Sequence, residues 1–157
     1  MAEIQIYTDG SSRGNPGRGG FGVVLLSGQH RKEIAQGYQL TTNNRMELMA
    51  VIVALETLKG SDHQVTIFTD SQYVVNSIEK KWVFGWKKKN FVGKKNADLW
   101  QRFLNIYPQN TLKLVWVKGH ATNQLNNHCD LLATTAADGN ALKKDEGYLQ
   151  NIDTTAD

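Results

Sequence analysis

Two near-copies of one apolar phrase occur in this chain, Ile6-Tyr-Thr-Asp9-Gly-Ser and Ile67-Phe-Thr-Asp70-Ser-Gln. In each, Ile4 and Ile6, or Val65 and Ile67, alternate with Gln5 and Tyr7, or Thr66 and Phe68, which is the period of a strand. If the two strands are parallel neighbours, their C-terminal ends set Asp9 and Asp70 side by side. Two like charges at ~4 Å in an effective dielectric of ~20 repel by roughly 4 kcal/mol, so such a pair needs a reason. A hard divalent cation supplies one, and ligands that are all oxygen point to magnesium or manganese.

Other polar residues stand at notable points. Glu47 is the only charge between Met46 and Leu55. Asn44-Arg-Met-Glu47 fits a capping box, with Glu47 folding back on the Asn44 N–H. Alternatively, Glu47 leans from the first turn toward the two aspartates, at a position the helix dipole favours for a carboxylate. Lys118-Gly-His120-Ala-Thr-Asn123 is a polar loop that suits His120 to carry a proton. Asp130 follows it inside a helical stretch and reads either as a surface acid or as part of the same constellation. Gly17-Arg-Gly19-Gly20-Phe-Gly22 matches G-x-G-x-x-G formally. It leads into a strand pattern rather than a helix and there is no G-K-[ST], so nucleotide-loop readings are rejected.

Along the chain, strands are expected over residues 3–9, Phe21–Leu26 and Glu33–Leu40, with a turn-rich connection from Gly10 to Gly20. A helix is expected over Met46–Lys59, with an apolar face through Leu48, Ile52, Leu55 and Leu58 and a stop at Gly60. Strand 64–69 precedes helices over Ser71–Lys80, Trp82–Lys89 and Asp98–Tyr107, with a loop at Asn90–Asn96. Strand Leu112–Val117 and helix Leu125–Ala137 complete the pattern. This order implies an α/β fold with a five-stranded mixed sheet, three antiparallel strands and then two parallel ones, flanked by helices. Residues 1–138 are expected to form one domain, and 139–157 a polar, partly disordered tail.

The net charge of +3 conceals an asymmetry. Lys80, Lys81, Lys87, Lys88, Lys89, Lys94 and Lys95 are seven bases within sixteen positions that hold no acid, leaving 11 bases against 15 acids elsewhere. A polyanion held at one patch is the expected partner. Trp82, Phe84, Trp86 and Phe91 interleave with these lysines, and aromatic faces beside phosphate-binding bases are the physics of nucleic-acid binding. No run of 18 apolar residues is present, so no transmembrane helix is expected, and the first residues lack the basic and apolar regions of a signal peptide. Cys129 is the single cysteine, which excludes an internal disulfide and suits a reducing cytoplasm.

Taken together, the chain resembles the bacterial type 1 ribonucleases H over roughly residues 3–138. The resemblance is carried by Tyr7-Thr-Asp9-Gly-Ser, Gly14-Asn15-Pro-Gly17, Thr41-Thr-Asn43-Asn44-Arg-Met-Glu47-Leu, Thr69-Asp70-Ser-Gln72-Tyr-Val, Asp98-Leu-Trp100, Val117-Lys-Gly-His120-Ala and Cys129-Asp130. It implies a ribonuclease H fold with a basic protrusion. It also implies hydrolysis of the RNA strand of an RNA–DNA hybrid by two magnesium ions, with manganese as a substitute, leaving 5′-phosphate and 3′-hydroxyl ends. By position, Asp9, Glu47, Asp70 and Asp130 match the family's metal-binding carboxylates, and His120 its mobile histidine. Gly10, Asn15, Asn43, Glu47 and Gln72 match positions that contact the RNA strand. Thr42, Trp82, Trp86 and Asn96 match positions of the DNA-strand channel and its phosphate pocket. Lys81, Lys87, Lys88, Lys89, Lys94 and Lys95 match the basic protrusion. The chain departs from the family at Thr122 and Asn127, where members often carry glycine and glutamate. A cytoplasmic monomer is expected. The competing expectations are a DNA-cleaving nuclease of the same fold and a non-catalytic module that binds hybrids.

Overall fold

The alternation in the duplicated phrases does become strand. The computed structural model describes residues 2–118 and 123–151. Strands β1 (Glu3–Arg13), β2 (Gly17–Ser27) and β3 (His30–Thr41) form an antiparallel meander that leads into helix α1 (Asn43–Thr57). Strand β4 (Gln64–Thr69) is followed by helices α2 (Gln72–Glu79), α3 (Trp82–Lys88) and α4 (Ala97–Ile106). Strand β5 (Thr111–Trp116), helix α5 (Gln124–Asp138), strand β6 (Leu142–Lys143) and helix α6 (Glu146–Asn151) complete the described chain.

The strands form one sheet in the order β5-β4-β1-β2-β3-β6. β1 and β4 are parallel neighbours, with Ile4 opposite Val65, Ile6 opposite Ile67 and Tyr7 opposite Phe68. The four aliphatic residues of these pairs are buried on one face, and Tyr7 and Phe68 stack on the other with ring centroids 4.7 Å apart. β1 therefore lies at the centre of the sheet, where the antiparallel meander meets the parallel half.

Helices cover both faces, and two glycines mark how closely. A Cβ on Gly10 would collide with the backbone of Met46 and Glu47 in α1, and one on Gly22 with the Cys129 carbonyl in α5. α1 is buried beyond the expected stripe, including Met46, Met49, Ala50, Val51 and Ala54, because the sheet packs on one side of it and α4 on another. Its N-cap is Thr42, whose hydroxyl accepts from the Arg45 N–H at 3.3 Å. The box expected between Asn44 and Glu47 is not the cap.

The sheet has six strands rather than the expected five. β6 pairs in parallel with β3, Gly37 opposite Leu142 and Tyr38 opposite Lys143. The described part of the expected tail, residues 139–151, thus extends the sheet edge and adds α6; residues 152–157 lie outside the described residues. The glycine-rich connection also differs from expectation. β1 and β2 remain paired out to Arg13 opposite Arg18, so that only residues 14–16 turn. Among the described residues no helix is long and apolar enough to cross a membrane.

Candidate active site

The site lies where the β1–β4 ladder ends. Two residues beyond the last pair of the ladder, Tyr7 and Phe68, stand Asp9 and Asp70. Glu47 comes from the second turn of α1, and Gly10 allows that turn to lie directly on β1. Carboxylate oxygens of Asp9, Glu47 and Asp70 all lie within 4.8 Å of one another. Asp130, from α5, lines the same cleft, which has a volume of about 360 Å³ and also holds Gly10, Asn43 and Gln72.

Backbone contacts explain why α5 delivers Asp130 there. The Asn126 amide donates to the Phe68 carbonyl at 3.2 Å and to the Thr8 carbonyl at 3.4 Å, filling the split between the diverging strands. The Cys129 thiol donates to the Tyr7 carbonyl at 3.1 Å. Asn123 caps the helix by accepting from the N–H groups of Leu125 and Asn126. On the far side, the Trp116 indole N–H donates to the Asp70 carbonyl at 3.1 Å and ties the aspartate to β5.

The acids strain one another electrostatically. Burial, followed by the charges of Asp70 and Asp130, pushes Asp9 up to about 8. Burial and then the charges of Asp9 and Asp70 drive Glu47 well above the usual carboxylate range. Among the described residues, Glu47 Oε1 is buried with no hydrogen-bond partner. An orphaned carboxylate oxygen beside two more carboxylates fits a hard cation with oxygen ligands.

The remaining expected residues fall in three places. Asn43 accepts at Oδ1 from the Ser12 N–H (2.7 Å) and hydroxyl (3.1 Å), while its own backbone N–H donates to Asn15 Oδ1 at 3.1 Å. The hairpin tip is thereby fastened to the start of α1. Thr42 and Asn96 line a second, smaller pocket with Asn15, Asn44 and Lys95. Trp82 is 47% exposed, whereas Trp86 is half-buried, edge-on to the buried Trp100 at 5.9 Å, with Lys94 Nζ over its ring at 5.2 Å. Lys81, Lys87, Lys88, Lys89 and Lys95 are exposed. His120 and Thr122 lie outside the described residues, and Asn127 is exposed on α5.

The RNase H family model matches residues 1–138. The chain belongs to the RNase H family. Proteins named Ribonuclease H from Syntrophus aciditrophicus and Aeromonas hydrophila are 52% and 49% identical to it. The first match covers 93% of this chain and 87% of the relative, the second 94% and 98%. Among solved structures, LC9-RNase H1, described as a type 1 RNase H with the type 2 active-site motif, is 31% identical with a TM-score of 0.79, over 87% of this chain and 72% of that one. LC11-RNase H1, solved in complex with RNA/DNA hybrid, is 26% identical with a TM-score of 0.59, over 86% and 96% of the two chains. The RNase H-like fold expected from the sequence is therefore the fold of this chain.

Several residues that build this region carry no sequence signal of their own. Asn126, Trp116 and the pair Arg45 and Asp145 act through partners distant in the chain. A single sequence shows Arg45 only as one of several polar residues, with Asn43, Asn44 and Glu47, where a helix begins.

Proposed function

We propose that this protein is an endonuclease that hydrolyses the RNA strand of RNA–DNA hybrids and leaves 5′-phosphate and 3′-hydroxyl ends. The observation that carries the reading is the trio Asp9, Glu47 and Asp70 within 4.8 Å, where burial and then the neighbouring charges raise the pKa values of Asp9 and Glu47. These three, with Asp130, would hold magnesium, or manganese in its place. Bound there, a pair of such ions supplies an activated water and stabilisation of the leaving 3′-oxygen.

The chain's own residues then bind and select. The Ser12 contacts occupy the Asn43 carbonyl oxygen and leave its amide N–H groups to donate to an acceptor such as a ribose 2′-hydroxyl, the group that distinguishes RNA from DNA. Gly10, Asn15 and Gln72 lie around the same strand position. Thr42 and Asn96 face a phosphate of the DNA strand, and Trp82 and Trp86 its sugars. Lys81, Lys87, Lys88, Lys89, Lys94 and Lys95 neutralise further phosphates. His120 takes the role the resemblance implies, moving a proton or assisting product departure. The hybrid seen in the LC11-RNase H1 structure supports this class of partner. The protein acts as a monomer in the cytoplasm, where a single buried thiol stays reduced.

The products test the reaction. RNA fragments from a cleaved hybrid should carry a 5′-phosphate that ligase can join to a 3′-hydroxyl acceptor. Fragments ending in a 2′,3′-cyclic phosphate would show attack by the 2′-hydroxyl instead and would contradict the proposal.

A further inference from the structure

Asp145, in the segment expected to be a tail, is only 3% exposed, as is Arg45 of α1. The Arg45 guanidinium has five N–H groups, and acceptors meet all of them. Nε and Nη2 donate to Asp145 at 2.8 and 2.9 Å, and Nη1 and Nη2 to Asp98 at 2.8 Å each. The fifth bond runs from Nη1 to Asn96 Oδ1 at 3.4 Å. Asp145 is held in turn by the Thr41 hydroxyl at 2.7 Å and the Tyr148 N–H at 3.3 Å. Gly147 completes the cradle, because a Cβ there would collide with Asp98 and Arg45. Burial works against the Arg45 charge, yet the bonds to Asp98 and Asp145 hold its pKa above the usual value.

This clamp joins the two walls of the smaller pocket. Thr42 and Asn44, at the start of α1, form one wall; Lys95 and Asn96, at the start of α4, form the other. Arg45 reaches from the first wall to Asp98 and Asn96 of the second. Asn96 has a left-handed backbone (φ 64°), and its side chain makes no capping bond to its own helix. Its side chain is set from outside instead, accepting from Arg45 and donating from Nδ2 to the Tyr73 hydroxyl at 3.1 Å. Nδ2 carries a second hydrogen, and Asn96 lines the pocket.

We infer that Asp145 and Arg45 are positioning residues for substrate: the C-terminal segment fixes Arg45, which sets the width of this pocket and presents the Asn96 amide to a DNA-strand phosphate. The inference rests on the pocket assignment made under Proposed function. Residues 142–151 are then part of the hybrid-binding apparatus, not a stabilising appendage alone.

The test compares full-length wild type, Asp145→Asn, Asn96→Ala and the double variant in steady-state hybrid cleavage, at a temperature where circular dichroism shows each folded. Asp145→Asn should raise KM roughly tenfold, the worth of a hydrogen bond to a charged group, with kcat changed less than about twofold. In the Asn96→Ala background it should add almost nothing, because both changes remove the same contact. Gly147→Ala, which disturbs the clamp without removing a charge, should raise KM in the same direction and serves if Asp145→Asn does not fold. A lower melting temperature with unchanged KM would overturn the inference, as would fully additive effects in the double variant. Wild-type activity separates the two readings. A wild type that cleaves hybrid while the variants keep its KM overturns this inference alone; a wild type that cleaves nothing overturns both.

Discussion

The backbone nitrogen of Glu47 occupies the space that a side chain on Gly10 would need. This contact lets a helix start within carboxylate reach of the neighbouring Asp9, so one missing Cβ sets the depth of the acidic cleft. Gly10→Ala should move α1 outward, at an overpacking cost of about 1–3 kcal/mol. The expected result is a folded protein with a lower melting temperature and a disproportionate loss of cleavage. Wild-type turnover in the alanine variant would show that the close approach of Glu47 is dispensable.

The raised pKa of Asp9 makes a prediction about stability and pH. Its unfolded value is near 4, whereas burial beside Asp70 and Asp130 raises the folded value to about 8. The folded state thus retains a proton that the unfolded state releases. Without metal, the Asp9 contribution to stability should be fully present below pH 4, decline as pH rises from about 4 to about 8, and level off above. Asp9→Asn should flatten that decline and raise the metal-free melting temperature near neutral pH, by about 2–4 °C for each kcal/mol of repulsion removed. Thermal melts in chelator across this range provide the check, and an unchanged slope in the variant would place the decline elsewhere.

Asp70 is fastened through its backbone carbonyl to Trp116, so its side chain can change without unseating the loop. Asp70→Asn should lower turnover by roughly 10²–10³-fold, the scale seen when a single electrostatic stabiliser is removed. Hybrid affinity should remain within a few-fold. Equal losses of turnover and affinity, measured by cleavage and by fluorescence anisotropy, would mark Asp70 as a structural residue.

The exposed lysines predict a salt dependence. Neutralising ~4 phosphates corresponds to a log–log slope of roughly −3 to −4 for hybrid affinity, and replacing Lys87, Lys88 and Lys89 by alanine should reduce its magnitude by about 2–3. Affinity titrations across potassium chloride concentrations report this directly. An unaltered slope would put these lysines away from the hybrid.

The parts of this architecture that were legible in the sequence are those whose signal is local. Ile4, Ile6, Val65 and Ile67 carry a period of two and place Asp9 level with Asp70, which the parallel register reproduces, although β1 runs on past Asp9 to Arg13. What escaped depends on distant partners. Gly19 and Gly20 read as turn formers, but they lie in β2 and are small because helix backbones and side chains pack against them. β6 has two residues, too few for any period. Asp145 is ordered by Arg45, a hundred positions away, and nothing near it in the chain distinguishes it from a solvated tail acid. Glu47 illustrates the converse case: a local rule offered it a capping role, and the packing of α1 against β1 at Gly10 carries it to the aspartates instead.

The most direct measurement is cleavage of an end-labelled RNA–DNA hybrid by the purified protein, beside single-stranded RNA, duplex RNA and duplex DNA, each in magnesium and in chelator. The account predicts cutting of the RNA strand of the hybrid alone, abolished by chelation. Cutting of duplex DNA would assign the fold to a different nuclease, and binding of the hybrid without cutting in either magnesium or manganese would contradict catalysis altogether.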